Sequence, residues 1–305
     1  MTTTTIFWHP DIFLHDRHGQ HQAMLPERIE TIQKAVSNVP GISERLAAPA
    51  PLSRFELVHA REFIHDLQLN APKVPGEIYE FDSDTIMNPQ TLQTLKLSVG
   101  AVCEAVDAVH ENQTTNAFCP VYAGHHALPA RAMGFCFTNA IAVGAKYAAT
   151  LGYSRIGVAD FDTHSGNGTL IALQNDPRYL FVETHQPGFP GRFISRFNTP
   201  PNVLQFETAT GSAGRISWRD AWEYKLLPAL SKFQPEILLV SAGFDAHKND
   251  PLGLTNLEDE DYIWLTREFA RIQPHIVSVL EGGYSIPDVS RCARLHVEML
   301  AAASQ

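Results

Sequence analysis

From residue 90 onward, short apolar runs alternate with segments whose apolar residues recur at helical spacing. The runs predict strands at Ala117–Tyr122, Arg155–Asp160, Tyr179–Glu183, Glu236–Ser241 and His275–Leu280. The segments between them predict helices at Gln90–Glu111, Ala140–Leu151, Leu170–Leu173, Trp218–Phe233 and Asp259–Ile272. Apolar strands that alternate with helices are typical of a parallel sheet covered on both faces. The pattern therefore predicts an α/β fold of three layers, α/β/α, around a central and mainly parallel sheet.

The first 90 residues are less regular, with many prolines and histidines, and one amphipathic helix is predicted there at Pro26–Val36. No internal repeat or low-complexity stretch interrupts the chain. With 305 residues and 44% apolar content, the chain can bury a large core. We therefore expect one domain that covers residues 1–305.

Charge and hydropathy exclude several classes of function. The formal net charge of −10 disfavours nucleic-acid binding, which needs a basic face. It is compatible with a cationic small molecule or a lysine-rich peptide as partner, although acidic proteins are also often simply soluble. No apolar window is long enough to cross a membrane, and residues 1–6 lack the basic and apolar parts of an export signal. These features predict a cytoplasmic protein and leave the oligomeric state open.

The cysteines indicate buried thiols and not a disulfide framework. They are widely spaced, form no CxxC pair, and lie at Cys103, Cys119, Cys136 and Cys292. In a chain without an export signal, such cysteines are typical of apolar packing.

Polar motifs follow four of the predicted strands. They are Gly124-His125-His126, Asp160-Phe161-Asp162-Thr163-His164, Ser241-Ala242-Gly243-Phe244-Asp245 and Glu281-Gly282-Gly283-Tyr284. Side chains at the carboxyl ends of parallel strands meet in one crevice. We therefore expect these motifs to converge on one site.

Two of the motifs together offer three ligands for a divalent ion. Asp162 and His164 are two residues apart, so both can project to the same side. Alone, this pair is more typical of a solvated turn. Asp245 strengthens the metal hypothesis because it follows a strongly apolar strand, where an unpaired carboxylate is costly. Two carboxylates and one imidazole leave an open position on zinc, and iron or cobalt would accept the same ligands.

The other two motifs supply groups for proton transfer. His125 or His126 could act as a general base beside the metal, with Asp160 and Asn167 as the nearest polar candidates to orient the pair. Tyr284 could donate a hydrogen bond to an oxyanion, since two glycines before it allow a tight backbone. Two loop histidines and a packed tyrosine are the alternative interpretation. Together the four motifs indicate metal-assisted hydrolysis of an amide.

With these residues in view, the chain resembles the histone deacetylases and acetylpolyamine amidohydrolases of the arginase–deacetylase superfamily, in particular the class II-like bacterial members. The resemblance runs from about Pro10 to Glu298 and includes the segments Leu25–Ile29, Gly134–Asn139, Gly166–Thr169, Ser241–Gly253 and Leu280–Tyr284. It implies the arginase–deacetylase fold with an eight-stranded sheet. It also implies removal of an acetyl or related acyl group from acetyl-lysine or an acetylpolyamine.

The resemblance assigns roles residue by residue. One catalytic zinc would be held by Asp162, His164 and Asp245. His126 would be the general base and then acid, with Asn167 as its partner, while His125, oriented by Asp160, would be its electrostatic companion. Tyr284 would polarise the substrate carbonyl. The narrow tunnel for the acyl-amine would be lined by Phe135, Phe189, Gly134 and Gly283.

The resemblance also implies structural monovalent cations, usually potassium. One would be held by Asp160, Asp162, His164, Glu183 and Thr184, and a second by main-chain carbonyls near Leu173, Asp176 and Tyr179. Three departures from the family pattern stand out: Ser165 replaces a histidine, Val121-Tyr122-Ala123 replaces Arg-Pro-Pro, and Glu183 replaces a serine. A glutamate beside Asp160 and Asp162 needs compensation by a cation, by protonation, or by rotation towards a hydrogen-bonding partner.

Two alternatives remain at this point. A non-catalytic protein of the same fold could bind acylated amines without turnover, although it would need neither His126 nor Tyr284. A binuclear manganese ureohydrolase is suggested by Asp245-Ala246-His247, with Asp250 close by. The Asp162–His164 motif lacks the further aspartate of those enzymes, which favours the deacetylase.

Overall fold

The computed structural model describes residues 4–15, 26–190 and 200–304. Its main feature is one eight-stranded sheet in the strand order β2-β1-β5-β10-β9-β6-β7-β8. These strands are β1 (Thr4–Trp8), β2 (Ile42–Leu46), β5 (Asn116–Cys119), β6 (Ile156–Asp160), β7 (Tyr179–His185), β8 (Val203–Glu207), β9 (Ile237–Ala242) and β10 (Ile276–Leu280). All neighbouring strands of this sheet run parallel. The predicted sheet is therefore confirmed, and among the described residues all of its neighbouring strand pairs are parallel.

Helices cover both faces of the sheet, as the three-layer prediction requires. Their bounds are α1 (Pro26–Ser37), α2 (Leu52–Phe55), α3 (Arg61–Asn70), α4 (Thr91–His110), α5 (Ala140–Thr150), α6 (Asn167–Leu173), α7 (Gly214–Ala221), α8 (Leu227–Phe233), α9 (Asp259–Ile272) and α10 (Ile286–Ala303). Helices α4, α5 and α6 pack in one group, while α1, α10, α9 and α8 pack in another. A small antiparallel hairpin, β3 (Tyr79–Glu80) and β4 (Ile86–Met87), lies outside the main sheet.

The strands form where the sequence is continuously apolar. Every residue of β9 is buried, which is expected for a parallel strand covered on both faces. The helix predicted at Trp218–Phe233 is instead two α-helices joined by a π-helical turn, Trp222–Leu226. Pro228 follows this turn and lacks a backbone N–H, so the regular helical hydrogen-bond ladder is interrupted here.

Strand order places the candidate site. The chain passes from β5 to β6 across β10 and β9, so the order of the strands reverses between them. In open α/β sheets, ligands bind at the carboxyl ends of the strands at such a reversal. The four polar motifs follow β5, β6, β9 and β10, the four central strands of the sheet.

All four cysteines are buried free thiols, as predicted. Burial raises the pKa of Cys103 to about 12. These thiols therefore stay protonated at neutral pH and contribute to packing.

Candidate active site

Three predicted metal ligands lie together at the carboxyl ends of β6 and β9. Nδ1 of His164 lies 3.2 Å from Oδ1 of Asp162 and 3.1 Å from Oδ2 of Asp245. The candidate ligand atoms of all three residues lie within 4.8 Å of one another. Both aspartates are buried, and the His164 side chain is 13% exposed. Of the three side chains, His164 is thus the most exposed.

Backbone amides hold the two aspartates from behind. The N–H of Gly282 donates to Oδ2 of Asp162 at 2.7 Å, and the N–H of Thr163 donates to Oδ1 of Asp245 at 2.8 Å. A Cβ atom on Gly282 would lie 2.2 Å from Oδ2 of Asp245. Only glycine therefore fits between the carboxylates, which explains the glycine that follows Glu281. Hydrogen bonds of this kind orient metal-ligating carboxylates.

The donor set fits a divalent ion. Five fully buried carboxylates meet in this region: Asp160, Asp162, Glu183, Asp245 and Glu281. Burial, together with the neighbouring Asp162 carboxylate, raises the pKa of Asp245 to about 7, so the two carboxylates are unfavourable side by side without a neutralising cation. Two carboxylates and an imidazole, supplied by the loops after β6 and β9, match a catalytic zinc site with an open position. Asp162, His164 and Asp245 would hold the ion.

His125 is held as an imidazolium. Its Nδ1 lies 3.0 Å from Oδ2 of Asp160, the partner that the sequence indicated. Burial alone would lower the pKa of His125, but the negative charges of Asp162 and Asp160 outweigh burial and raise the pKa well above its usual value. The backbone is fixed as well, since Oε2 of Glu281 accepts the N–H groups of Gly124 at 2.7 Å and of His125 at 3.1 Å.

His126, beside it, has the opposite protonation state. Its Nδ1 lies 2.7 Å from Oδ1 of Asn167. Since an amide oxygen only accepts, Nδ1 carries the hydrogen and Nε2 keeps its lone pair. Burial, with the positive charges of His125 and His164, lowers the pKa of His126 well below its usual value. The tandem pair thus provides one charged imidazole and one neutral base, with ring centroids 4.1 Å apart.

Tyr284 stands on a loop that Asp250 anchors. Oδ2 of Asp250 accepts the N–H groups of Tyr284 at 2.6 Å and of Ser285 at 3.3 Å. Burial raises the pKa of Tyr284 well above its usual value, and the charges of Asp245 and Asp162 add to this effect. The hydroxyl is therefore protonated, and it is close enough to the metal cluster to respond to its charge.

Aromatic rings flank the two histidines on the solvent side. The Phe189 ring is half exposed, and its centroid lies 5.3 Å from that of His126 and 6.4 Å from that of His164. Phe135 contacts the Tyr284 ring edge-on at 6.1 Å. A Cβ atom on Gly134 would lie 2.8 Å from the His126 ring and 3.1 Å from the Phe189 ring. A side chain at position 134 would therefore collide with both rings.

Gly283, the fourth predicted tunnel residue, faces the protein interior. It has a φ of +120°, and a Cβ atom there would lie 2.5 Å from Val289 of α10. Its carbonyl accepts a hydrogen bond from Nε of the buried Arg28. Gly283 therefore lets the loop turn so that Tyr284 can be placed.

Asp160 and Glu183, two of the residues expected to hold the first monovalent cation, have other partners. Oδ1 of Asp160 accepts the N–H of Asp162 at 3.0 Å. The Glu183 carboxylate is turned towards Ser165, Gly166, His185 and Gln205. Rotation towards hydrogen-bonding partners was one of the compensations expected for this glutamate. The strand that carries Glu183 continues through Thr184 in regular pairing with β8.

At the second expected cation site, a side-chain amide meets the carbonyls. Nδ2 of Asn202 donates to the carbonyls of Leu173 at 2.9 Å and of Asp176 at 3.2 Å. The Asp176 carbonyl also accepts the N–H of Tyr179 at 3.1 Å. Both monovalent-cation sites stay predictions.

His247 belongs to a separate cluster. Its Nε2 lies 3.3 Å from Oδ1 of Asp259, and Cys292 is close by. Arg291 already forms hydrogen bonds to both oxygens of Asp259, at 2.7 and 3.0 Å. The guanidinium neutralises the carboxylate, so the cluster is an ion-pair network and supplies no second metal ion beside His164.

Sequence reasoning assigned no role to Glu281, Asp250 or Arg28, which support the site. Each lies inside a segment that carried the family resemblance, but spacing along the chain did not reveal its partner. Glu281 holds the Gly124–His125 backbone, Asp250 holds the Tyr284 loop, and Arg28 binds the carbonyls of Gly283 and Glu281.

Comparison with known proteins agrees with this geometry. Residues 22–300 match the family described as "Histone deacetylase domain". The chain belongs to the histone deacetylase family. The histone deacetylase-like amidohydrolase of Pseudomonas aeruginosa is 30% identical over 339 residues, which cover 99% of this chain and 87% of that protein.

Two further comparisons support the family and the fold. An uncharacterised protein of Synechocystis sp. is 34% identical over 288 residues, which cover 92% of this chain and 93% of that protein. The solved structure titled "Crystal Structure of HDA15 HD domain" superposes with a TM-score of 0.92 at 24% identity, covering 100% of this chain and 91% of that one. This likeness confirms the arginase–deacetylase fold. Some of the curated relatives are longer, and the chain spans between 14% and 60% of their length.

Family membership supports a hydrolase activity and an acylated amine as the class of substrate. In the described ranges, no helix combines the length and the apolar character that crossing a membrane requires.

Proposed function

We propose that this protein is a zinc-dependent amidohydrolase that removes an acetyl or related acyl group from a primary amine. One observation carries the proposal: a charged and a neutral histidine stand side by side, each fixed by its own partner, next to a three-ligand metal cluster. His125 is paired with Asp160, and His126 is paired with Asn167. A protein that only binds acylated amines has no need for this difference in protonation.

The chain's own residues can carry out each proton transfer. When bound, zinc supplies a Lewis acid that polarises a carbonyl and lowers the pKa of water. Nε2 of His126 accepts a proton from the attacking water as the C–O bond forms, and it then donates this proton to the leaving amine as the C–N bond breaks. The Tyr284 hydroxyl donates a hydrogen bond to the carbonyl oxygen, and the His125 charge stabilises the negative charge that develops there.

The aromatic residues define the shape of the substrate. Phe189 lies over His126 and His164, and Phe135 lies against Tyr284. With Gly134 between them, they favour a slim aliphatic chain that ends in an acylated nitrogen. Acetyl-lysine in a peptide and an acetylpolyamine both have this shape. The net charge of −10 favours such cationic substrates. We also propose that the protein acts in the cytoplasm.

The test is a panel of acetyl-lysine peptides and acetylated polyamines compared by kcat/KM, with release of free acid as the readout. We expect turnover with at least one class and a decrease in the preference for cationic substrates as salt is added, since exposed charges are screened. His126→Ala should abolish turnover, while His110→Ala, at an exposed helix end, should not. Binding of the panel without acid release would instead support the non-catalytic alternative.

A further inference from the structure

The Glu183 side chain has an unusual environment for a buried carboxylate. It lies in β7 opposite Asp160 of β6, with no exposed surface. The Ser165 hydroxyl donates to its Oε1 at 2.7 Å, and the Gly166 N–H donates to its Oε2 at 2.7 Å. The side-chain amide of Gln205 also donates to Oε1. Oε1 therefore has partners from the turn beside the metal cluster and from β8, and Oε2 has a partner from the same turn.

These partners lie between two residues of the candidate site. Ser165 and Gly166 join the metal ligand His164 to Asn167, which orients His126. A carboxylate that holds Ser165 and Gly166 fixes both ends of this turn. Gln205 then ties the same carboxylate to the neighbouring strand. We call Glu183 with Ser165, Gly166 and Gln205 the Glu183 anchor.

The charge of the anchor is balanced within the chain. Nδ1 of His185 lies 3.2 Å from Oε1 of Glu183. Burial would raise the pKa of Glu183, but the hydrogen bonds and charge of His185 and the hydrogen bonds from Ser165 and Gln205 outweigh it and lower the pKa. The Glu183 carboxylate is engaged by Ser165, Gly166 and Gln205 at the position where the resemblance implied a serine hydroxyl as a cation ligand.

We propose that the Glu183 anchor replaces a bound monovalent cation as the element that positions the His164–Asn167 turn. Glu183 is a positioning residue, since it acts through Ser165 and Gly166 and touches neither substrate nor metal. The site should then hold its geometry without a bound potassium ion. The inference deepens the proposed function and rests on it where activity is the readout.

The first test uses the unmodified protein. Zinc affinity, the unfolding temperature and kcat are measured in buffer free of sodium and potassium, with tetramethylammonium as the cation, and again with potassium at the same ionic strength. We expect all three quantities to be unchanged. A loss of zinc affinity and thermal stability without potassium, restored by potassium, would overturn the proposal.

The second test is Glu183→Ser, which restores the hydroxyl of the family pattern. We expect zinc affinity and kcat to fall on the order of tenfold without potassium, to recover when potassium is added, and KM to change little. Glu223→Ser, at an exposed carboxylate, is the matched control and should change none of these. A Glu183→Ser protein with wild-type zinc affinity and kcat in both buffers would refute the proposal.

Two further outcomes keep the tests independent. If Glu183→Ser does not fold, the potassium titration of the unmodified protein decides alone. If the unmodified protein turns over no acylated amine, the proposed function fails, but zinc affinity and unfolding temperature still test the anchor.

Discussion

Nδ1 of His126 donates a hydrogen bond of 2.7 Å to Oδ1 of Asn167, the first residue of helix α6. The next two residues of this helix, Gly168 and Thr169, donate their N–H groups to the carbonyl of His125 at 3.0 and 3.1 Å. One helix start therefore positions both histidines. Because these N–H groups have no partners within the helix, using them here also satisfies the helix end.

Asn167→Ala should lower kcat at least about tenfold with little change in KM, because the His126 ring would lose the partner that fixes its tautomer. Steady-state kinetics with an acetyl-lysine substrate measure this. Asn38→Ala, at an exposed asparagine, serves as the control. An unchanged kcat would show that Asn167 does not orient the base.

Tyr284→Phe should fold normally and lose roughly 10²–10³ in kcat, since it removes one oxyanion donor. Tyr224→Phe removes a hydroxyl from an exposed tyrosine and should leave kcat as it is. If Tyr284→Phe kept more than half of the wild-type turnover, the role proposed for its hydroxyl would be wrong.

The purified protein should carry about one divalent ion per chain, because Asp162, His164 and Asp245 bring three candidate ligand atoms within 4.8 Å of one another. Asp245→Asn should lose this ion, as measured by metal analysis after dialysis. His247→Asn should keep it, because Arg291 already neutralises that second cluster. Two bridged manganese ions per chain would contradict the expectation and favour a ureohydrolase.

The buried His296 should make the folded protein less stable in acid. It is fully buried between the hydroxyls of Thr266 and Ser278, and burial lowers its pKa from 6.5 to about 3. As the pH falls below 6.5, the unfolded chain takes up a proton that the folded chain refuses until about pH 3, so stability falls through this window. Between pH 7 and pH 5 this amounts to about 2 kcal/mol.

Urea unfolding at these two pH values measures the effect. His296→Gln keeps a hydrogen-bonding side chain but does not titrate, so its stability should depend less on pH by that amount. His110→Gln, at an exposed histidine, should behave like the wild type. Equal pH dependence in all three proteins would exclude His296 as the cause.

The sequence predicted five of the six inner strands of the sheet and did not predict β1 or the two edge strands. The run Ile237–Ala242 is continuously apolar and entirely buried. By contrast, β2 has four exposed residues among five, and β8 has two exposed residues at its end. An edge strand contacts one neighbour only, so its sequence carries a weaker apolar pattern.

The difference between predicted and unpredicted strands also explains which features of the site the sequence indicated. Asp162, His164 and Asp245 follow predicted strands, so their convergence could be expected from strand order alone. The direction of the Glu183 side chain depends on Gln205, which lies in the unpredicted strand β8. Side-chain direction is set by such tertiary partners, and spacing along the chain does not reveal them.

The order of the strands has a consequence for synthesis of the protein. The two central strands, β9 and β10, are the last two in the chain, and they separate β5 from β6. Before these two strands are synthesised, the strands already made can pair only as two separate groups, β2-β1-β5 and β6-β7-β8, with no hydrogen-bonded link between them. We therefore expect β9 and β10 to join the sheet last, and a truncated product ending before β9 to be prone to aggregation through its open strand edges.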